Sequence, residues 1–138
     1  MLRSSHLITR ISGNGQKISI SDAELEVLKE LWTASTLTAR QLTDRLLATT
    51  DWSEPTIKTL LRRLLQKNAV KCTRAGKIFV YSAQIDYEEF RYRAGRSLLN
   101  RLFNGVAGDF FTCLVRNEQL SPEEIASLKK LLDKAEEK

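Results

Sequence analysis

A mainly α-helical fold with one small β-hairpin is predicted for this chain of 138 residues by three observations. Apolar residues recur at helical spacing from Ser21 to the C-terminal region, interrupted by short Gly-, Asn- or Ser-containing breaks. The period shortens to two residues only around "RAGK", residues 74–77. Ser or Thr stands where several of the helical segments begin, the position at which a hydroxyl satisfies otherwise unpaired backbone N–H groups.

Taken in order, residues 1–17 contain Ser, Gly, Asn and Gln without sustained periodicity and predict a flexible arm. "SISDAELEVLKELW" opens with Ser21 as N-cap and Glu24 as its capping-box partner, and Leu25, Leu28, Leu31 and Trp32 form one stripe. This first helix ends near residues 33–35. Thr38 caps a short second helix carrying Ala39, Leu42 and Leu46, after a brief extended connection. Ser53 caps the third, and Pro55 sits in its first turn, where a missing N–H has no intrahelical partner to lose. "VKCTRAGKIFVYSA" then alternates Val70, Cys72, Ile78 and Val80 about Gly76, which supplies the positive φ of a tight hairpin turn. Three short helices followed by a basic hairpin give the order of a winged helix-turn-helix domain, placed at residues 18–86. Residues 87–138 return to helical spacing in three further segments: Tyr87, Phe90, Ala94, Leu98 and Leu102; then Val106, Phe110, Phe111 and Leu114; then Ile125, Leu128, Leu131 and Leu132 behind the Ser121 cap and Pro122. So small a helical region lacks a sufficient core of its own, which predicts a homodimer through Phe90, Leu98, Leu102, Phe110, Leu114, Ile125, Leu128 and Leu132.

Composition narrows the function. No apolar run is long enough to span a bilayer and the N-terminal stretch lacks the apolar block of a secretory signal, so a cytoplasmic protein is expected. Cys72 and Cys113 lie far apart in unlike contexts and read as reduced packing residues, with no metal pair and no disulfide framework. The single histidine, His6, falls in the arm, no Gly-rich loop opens a helix after a strand, and no nucleophile has a base partner; no catalytic residue, cofactor or metal is expected.

Charge is the more telling quantity. The formal net charge is +5, yet residues 87–138 carry nine basic and nine acidic side chains and are balanced. Between Pro55 and Ile85, by contrast, Lys58, Arg62, Arg63, Lys67, Lys71, Arg74 and Lys77 stand without one Asp or Glu. Such a field attracts a polyanion. At about 100° per residue, Ile57, Leu60, Leu61, Leu64 and Leu65 fall in one arc of the third helix, and Thr59, Arg62 and Gln66 lie opposite, flanked by Lys58, Thr56 and Arg63. Arg and Lys donate to guanine O6 and N7 in the major groove, and Thr and Ser hydroxyls hydrogen-bond adaptably. Ser53, Thr56, Lys58, Thr59, Arg62 and Arg63 are therefore the expected helix contacts, although Ser53 and Thr56 also read as caps. Lys67, Lys71, Arg74 and Lys77 are the expected phosphate contacts. The competing class is a winged-helix module for RNA or protein without operator specificity; RNA readers usually expose aromatics for stacking, and Phe79 and Tyr81 read as packed.

"ISISDAELEVLKELW", "TARQLTDRLL", "DWSEPTIKTLLRRLLQKNAV", "AGKIFVYSA" and "NEQLSPEEIASLKKLLD" together resemble successive signatures of the bacterial BlaI/MecI/CopY repressors, from Ile18 onward. The resemblance implies a dimeric winged-helix repressor on a palindromic operator of double-stranded DNA, with Ser53, Thr56, Lys58, Thr59 and Arg63 facing DNA. Arg62 and Pro55 depart from the Thr and Lys more usual in β-lactam-responsive relatives. The resemblance further implies an inducer, through either a sensor protease or a metal ion. The bond cut in β-lactam-responsive members is Asn-Phe, and its equivalent here is Cys113–Leu114, which does not match. Copper-responsive members carry paired Cys-x-Cys motifs after this point, and no cysteine follows Cys113.

Overall fold

The computed structural model describes residues 9–13 and 16–137, with side chains from Ile18 to Glu137. Its first elements are an antiparallel pair, β1 (Thr9–Gly13) and β2 (Gln16–Ile20), in register from Thr9 opposite Ile20 to Gly13 opposite Gln16. These strands replace much of the expected flexible arm. The alternation of Ile11, Ile18 and Ile20 with polar neighbours suits an extended pair, and Ile20 is buried to 1% exposure in the core, which anchors the hairpin to the helices. The remainder of the arm, His6 included, lies outside the described residues.

The next elements follow the sequence closely. α1 (Asp22–Ala34) starts at the complete Ser21–Glu24 capping box, and α2 (Ala39–Thr49) starts at another formed by Thr38 and Gln41. Between them β3 (Leu37–Thr38) is the extended connection. α3 (Glu54–Gln66) is capped by Ser53 with Pro55 in the first turn, and the hairpin β4 (Val70–Ala75) and β5 (Ile78–Ala83) follows at once. The strands form an antiparallel sheet in the order β3-β5-β4, with Leu37 opposite Tyr81 and Arg74 opposite Phe79. Gly76 has φ +68°, as the tight turn requires.

Val27, Leu28, Leu31, Leu42, Leu46, Ile57, Leu60 and Leu64 from the three helices are at most 1% exposed and form the core of this winged helix-turn-helix. Each such side chain contributes about 1.5–3 kcal/mol through removal from water. Ala39, expected on the apolar stripe of α2, is exposed.

The chain divides into two compact units, Met1–Ser97 and Leu98–Lys138. The division falls inside α4 (Tyr87–Phe103) rather than at the change of period near residue 86. Trp32 explains the shift. Its indole N–H donates to the Ile85 carbonyl at 2.9 Å, and its ring packs at 5.0 Å from Tyr87 and 5.4 Å from Phe90. Phe90, expected at the dimer surface, is only 4% exposed and belongs to the winged core. Periodicity marked the apolar stripe of α4 but not where along its length the partner changes.

In the second unit the end of α4 turns at Asn104 (φ 49°) and Gly105 (φ 80°) into α5 (Ala107–Arg116), and α6 (Pro122–Glu136) follows with a Ser121–Glu124 capping box. Phe103 and Phe110 pack with centroids 5.3 Å apart. Neither α5 nor α6 has a buried residue, and Leu102, Phe111, Val115, Leu131 and Leu132 are all exposed. Among the described residues no helix is long and apolar enough to cross a membrane.

Candidate nucleic-acid interface

α3 is held from below by its leucines and presents the opposite face outward. Lys58, Arg62, Arg63 and Gln66 are exposed, Thr56 and Thr59 half-buried. Lys58 and Arg62, and likewise Thr59 and Arg63, are four residues apart and so lie on adjoining rows of one face. Among the described residues none of Lys58, Arg62 and Arg63 has an ion-pair or hydrogen-bond partner, so their donors face solvent.

The hydroxyl groups behave differently from the expectation that they are adaptable donors. Ser53 Oγ accepts the Thr56 N–H at 3.4 Å and shares a hydrogen bond with Thr56 Oγ1 at 3.1 Å. Thr59 Oγ1–H donates to the Pro55 carbonyl at 2.9 Å. Thr59 is thus left with a methyl group and acceptor lone pairs for an outside ligand, while donation falls to the cations.

Of the residues expected to meet phosphates, Lys71, Arg74 and Lys77 are exposed on the wing. Arg74 Nε–H donates to the Gly76 carbonyl at 3.0 Å, and its guanidinium carbon stands 5.9 Å from the Phe79 ring centre. Lys67 is drawn elsewhere. Its ammonium donates to both oxygens of Glu24, at 2.6 and 2.7 Å, and to the Ser19 carbonyl at 2.7 Å. The Glu24 carboxylate is 2% exposed, accepts the Ser21 N–H in the capping box and needs a cation nearby, so Lys67 serves the fold rather than a phosphate.

Arg40, not singled out by sequence reading, is exposed at the start of α2, where its guanidinium lies 3.5 Å from Asp44 and 3.7 Å from Glu54. It offsets the one acid at the start of α3. The signal was present in "TARQ", a cation just inside the helix beside the turn into the basic segment, but charge counted only from Pro55 onward passed over it.

Two further expectations are corrected. Phe79 is 55% exposed and not packed, and its neighbour Ile78 is 53% exposed, because both stand next to the hairpin turn, beyond the part of β5 where Tyr81 packs on the core. Cys72 and Cys113 are free and exposed, not packing residues, since β4 buries only Val70 and α5 buries nothing. Cys72 lies opposite Tyr81, and burial first, then Cys72 itself, pushes the Tyr81 phenol above its ordinary range. Among the described residues no cluster of His, Cys, Asp and Glu is arranged to hold a metal ion.

The geometry agrees with the relationships of the chain. The family model described as Penicillinase repressor matches residues 20–134. The penicillinase repressor of Bacillus licheniformis is 39% identical over 114 residues, covering 83% of this chain and 89% of that one. The methicillin resistance regulatory protein MecI of Staphylococcus aureus strain N315 is 30% identical over 115 residues, covering 83% and 94%. The solution structure of the DNA binding domain of the repressor BlaI aligns with a TM-score of 0.47 at 41% identity, over 51% of this chain and 85% of that chain. With its family model spanning the winged helix and the C-terminal helices alike, this chain belongs to the penicillinase repressor family.

Proposed function

We propose that the protein is a DNA-binding transcriptional repressor that acts as a homodimer on a palindromic operator. The observation that carries this reading is the acid-free stretch Pro55–Ile85, which folds into α3 and the wing and leaves Lys58, Arg62 and Arg63 exposed and without partners among the described residues. α3 is the recognition helix, with Lys58, Thr59, Arg62 and Arg63 toward the bases, and Lys71, Arg74 and Lys77 lie toward the backbone. A relative named as a penicillinase repressor, at 39% identity, and one named as a regulatory protein, at 30%, support the same reading.

Dimerisation is proposed for the second unit, through Leu98, Leu102, Phe110, Leu114, Ile125, Leu128 and Leu132. A helical unit whose α5 and α6 bury nothing gains its stability by covering those side chains, and a second copy supplies the matching face. Neither trigger implied by the resemblance has its own residues here: the position of the Asn-Phe bond is Cys113–Leu114, and residues 114–138 hold no cysteine.

The test is binding of the full-length protein to duplexes recovered by in-vitro selection. Affinity is expected to fall steeply with salt as phosphate contacts release counterions. Arg63→Ala is expected to cost about 1–3 kcal/mol on the selected site and much less on random duplex. A complex indifferent to salt, or equal losses on both duplexes, contradicts the assignment of α3. The exposed Phe79 is the one observation that favours RNA, and a single-stranded RNA competitor that displaces the duplex at equal concentration would decide for that class.

A further inference from the structure

We infer that the cavity between α1 and the first turns of α4 is a binding site for a planar apolar carboxylate, and that its occupant modulates operator binding; only the second half rests on the repressor reading above.

The cavity measures about 450 Å³, within the roughly 300–1,000 Å³ of small-molecule sites, and its lining lies wholly in the first unit. Two helices build it. Leu25, Lys29, Trp32 and Thr33 stand at i, i+4, i+7 and i+8 on α1, and Tyr87, Phe90 and Arg91 at i, i+3 and i+4 on α4, so each helix turns one row of side chains to it. Trp32 is the hub of the walls, its ring centre 5.0 Å from Tyr87 and 5.4 Å from Phe90, with the planes tilted by 51° and 45°. Its N–H is already donated to the Ile85 carbonyl, so the indole offers a ligand its face and no donor. Such walls suit a flat apolar body.

The lining also decides the charge of the ligand. Lys29 and Arg91 are its charged members, and no acid joins them. Aromatic walls by themselves would equally suit a quaternary ammonium ion, but two cations at the mouth repel one and attract a carboxylate. Each cation is paired with an acid three residues earlier on its own helix, Lys29 with Glu26 at 3.2 Å and Arg91 with Glu88 at 3.1 Å. Those pairs are exposed, and exposed pairs are weak enough for a ligand to displace. The Arg91 guanidinium carbon also stands 5.1 Å from the Tyr87 ring centre, which keeps the guanidinium beside the aromatic wall.

The position gives the occupant leverage. α1 shares one core with α3 through Leu28, Leu31, Leu60 and Leu64, and α4 continues unbroken past Ser97 into the second unit. A ligand held between α1 and α4 favours whichever spacing of the two helices it fits best, and so acts on the support of α3 and on the helix that leads to the second unit.

The test is calorimetric titration of the full-length protein with naphthoate, with naphthamide as a neutral ligand of the same shape and benzyltrimethylammonium as a cation. Naphthoate is expected to bind once per chain and about tenfold or more tighter than either. Lys29→Gln and Arg91→Gln, both at exposed side chains, are expected to weaken naphthoate by about threefold to tenfold and to leave naphthamide within about twofold. Thr33→Trp, which fills the mouth from an exposed position, is expected to abolish binding, and Thr33→Ser to keep it. Equal affinity for naphthoate and naphthamide, a preference for the ammonium ion, binding that survives Thr33→Trp, or no binding up to about 1 mM overturns the site. So does an affinity that falls as the protein is concentrated, which would mean that a second copy covers the cavity. Saturating naphthoate is expected to change affinity for the selected duplex by about fivefold or more. Binding with an unchanged duplex affinity overturns the modulating role. Failure to recover any duplex in the selection sinks the repressor reading and that role with it, but not the carboxylate site.

Discussion

Lys67 carries a charge that the sequence groups with Lys58, Arg62 and Arg63 and the fold turns toward Glu24 instead. It joins the C-cap of α3 to Glu24 in the first turn of α1 and to the Ser19 carbonyl of β2, so the exit of α3 is tied to two other elements by one ammonium. Removing one member of a fully buried pair costs about 3–5 kcal/mol; Glu24 is buried, but Lys67 is one-third exposed, so water screens part of that cost. Lys67→Met is therefore expected to lower unfolding free energy by about 1–3 kcal/mol in a urea titration. Lys58→Met on the exposed face is expected to change it by less than about 0.5 kcal/mol while weakening duplex binding. Equal stability of the two variants would show that the Glu24 pair contributes little. Charge type was legible at both positions; that one of them serves a buried carboxylate was not, because the partner lies 43 residues away.

At the scale of elements the sequence was read most surely where local chemistry decides the outcome. The Ser21, Thr38, Ser53 and Ser121 caps and the Gly76 turn each satisfy backbone groups within a few residues, and all five are found. The β1–β2 pair was missed because short, polar alternating strands resemble loop until Ile20 is seen to be buried. The exposed Phe79 was missed because alternation tells which side chains share a face and not how far along the strand that face is covered: Tyr81 packs on the core, and Phe79, nearer the turn, does not. The wing offers a clean test of turn strain. Space around Gly76 is open, so Gly76→Ala costs only the left-handed backbone, about 1–2 kcal/mol. It is expected to lower the thermal midpoint and to weaken duplex binding more than Gly95→Ala, a control in an open position of α4. Indistinguishable melts would mean the turn can be rebuilt without a left-handed residue.

For the whole molecule, the placement of Phe90 decides where the chain can be divided. A fragment ending at Ser97 keeps Phe90 against Trp32 and is expected to fold as a monomer with weakened operator affinity. One ending at Asp86 loses that ring from the core and is expected to be less stable by about 3–5 kcal/mol. Chemical denaturation and sedimentation of the two fragments check both statements; a Ser97 fragment that still sediments as a dimer would contradict assignment of self-association to the second unit.

α4 runs unbroken through the division between the units. Its first turns are secured by packing within one chain, whereas the turns beyond Ser97 have no buried side chain of their own. Amide hydrogen exchange should reveal this as a gradient along a single helix. Protection from Phe90 to Ala94 is expected to be independent of protein concentration, and protection from Leu98 to Phe103 to rise as concentration passes the dimer dissociation constant. One helix would then report, at opposite ends, the stability of a fold and the occupancy of an assembly.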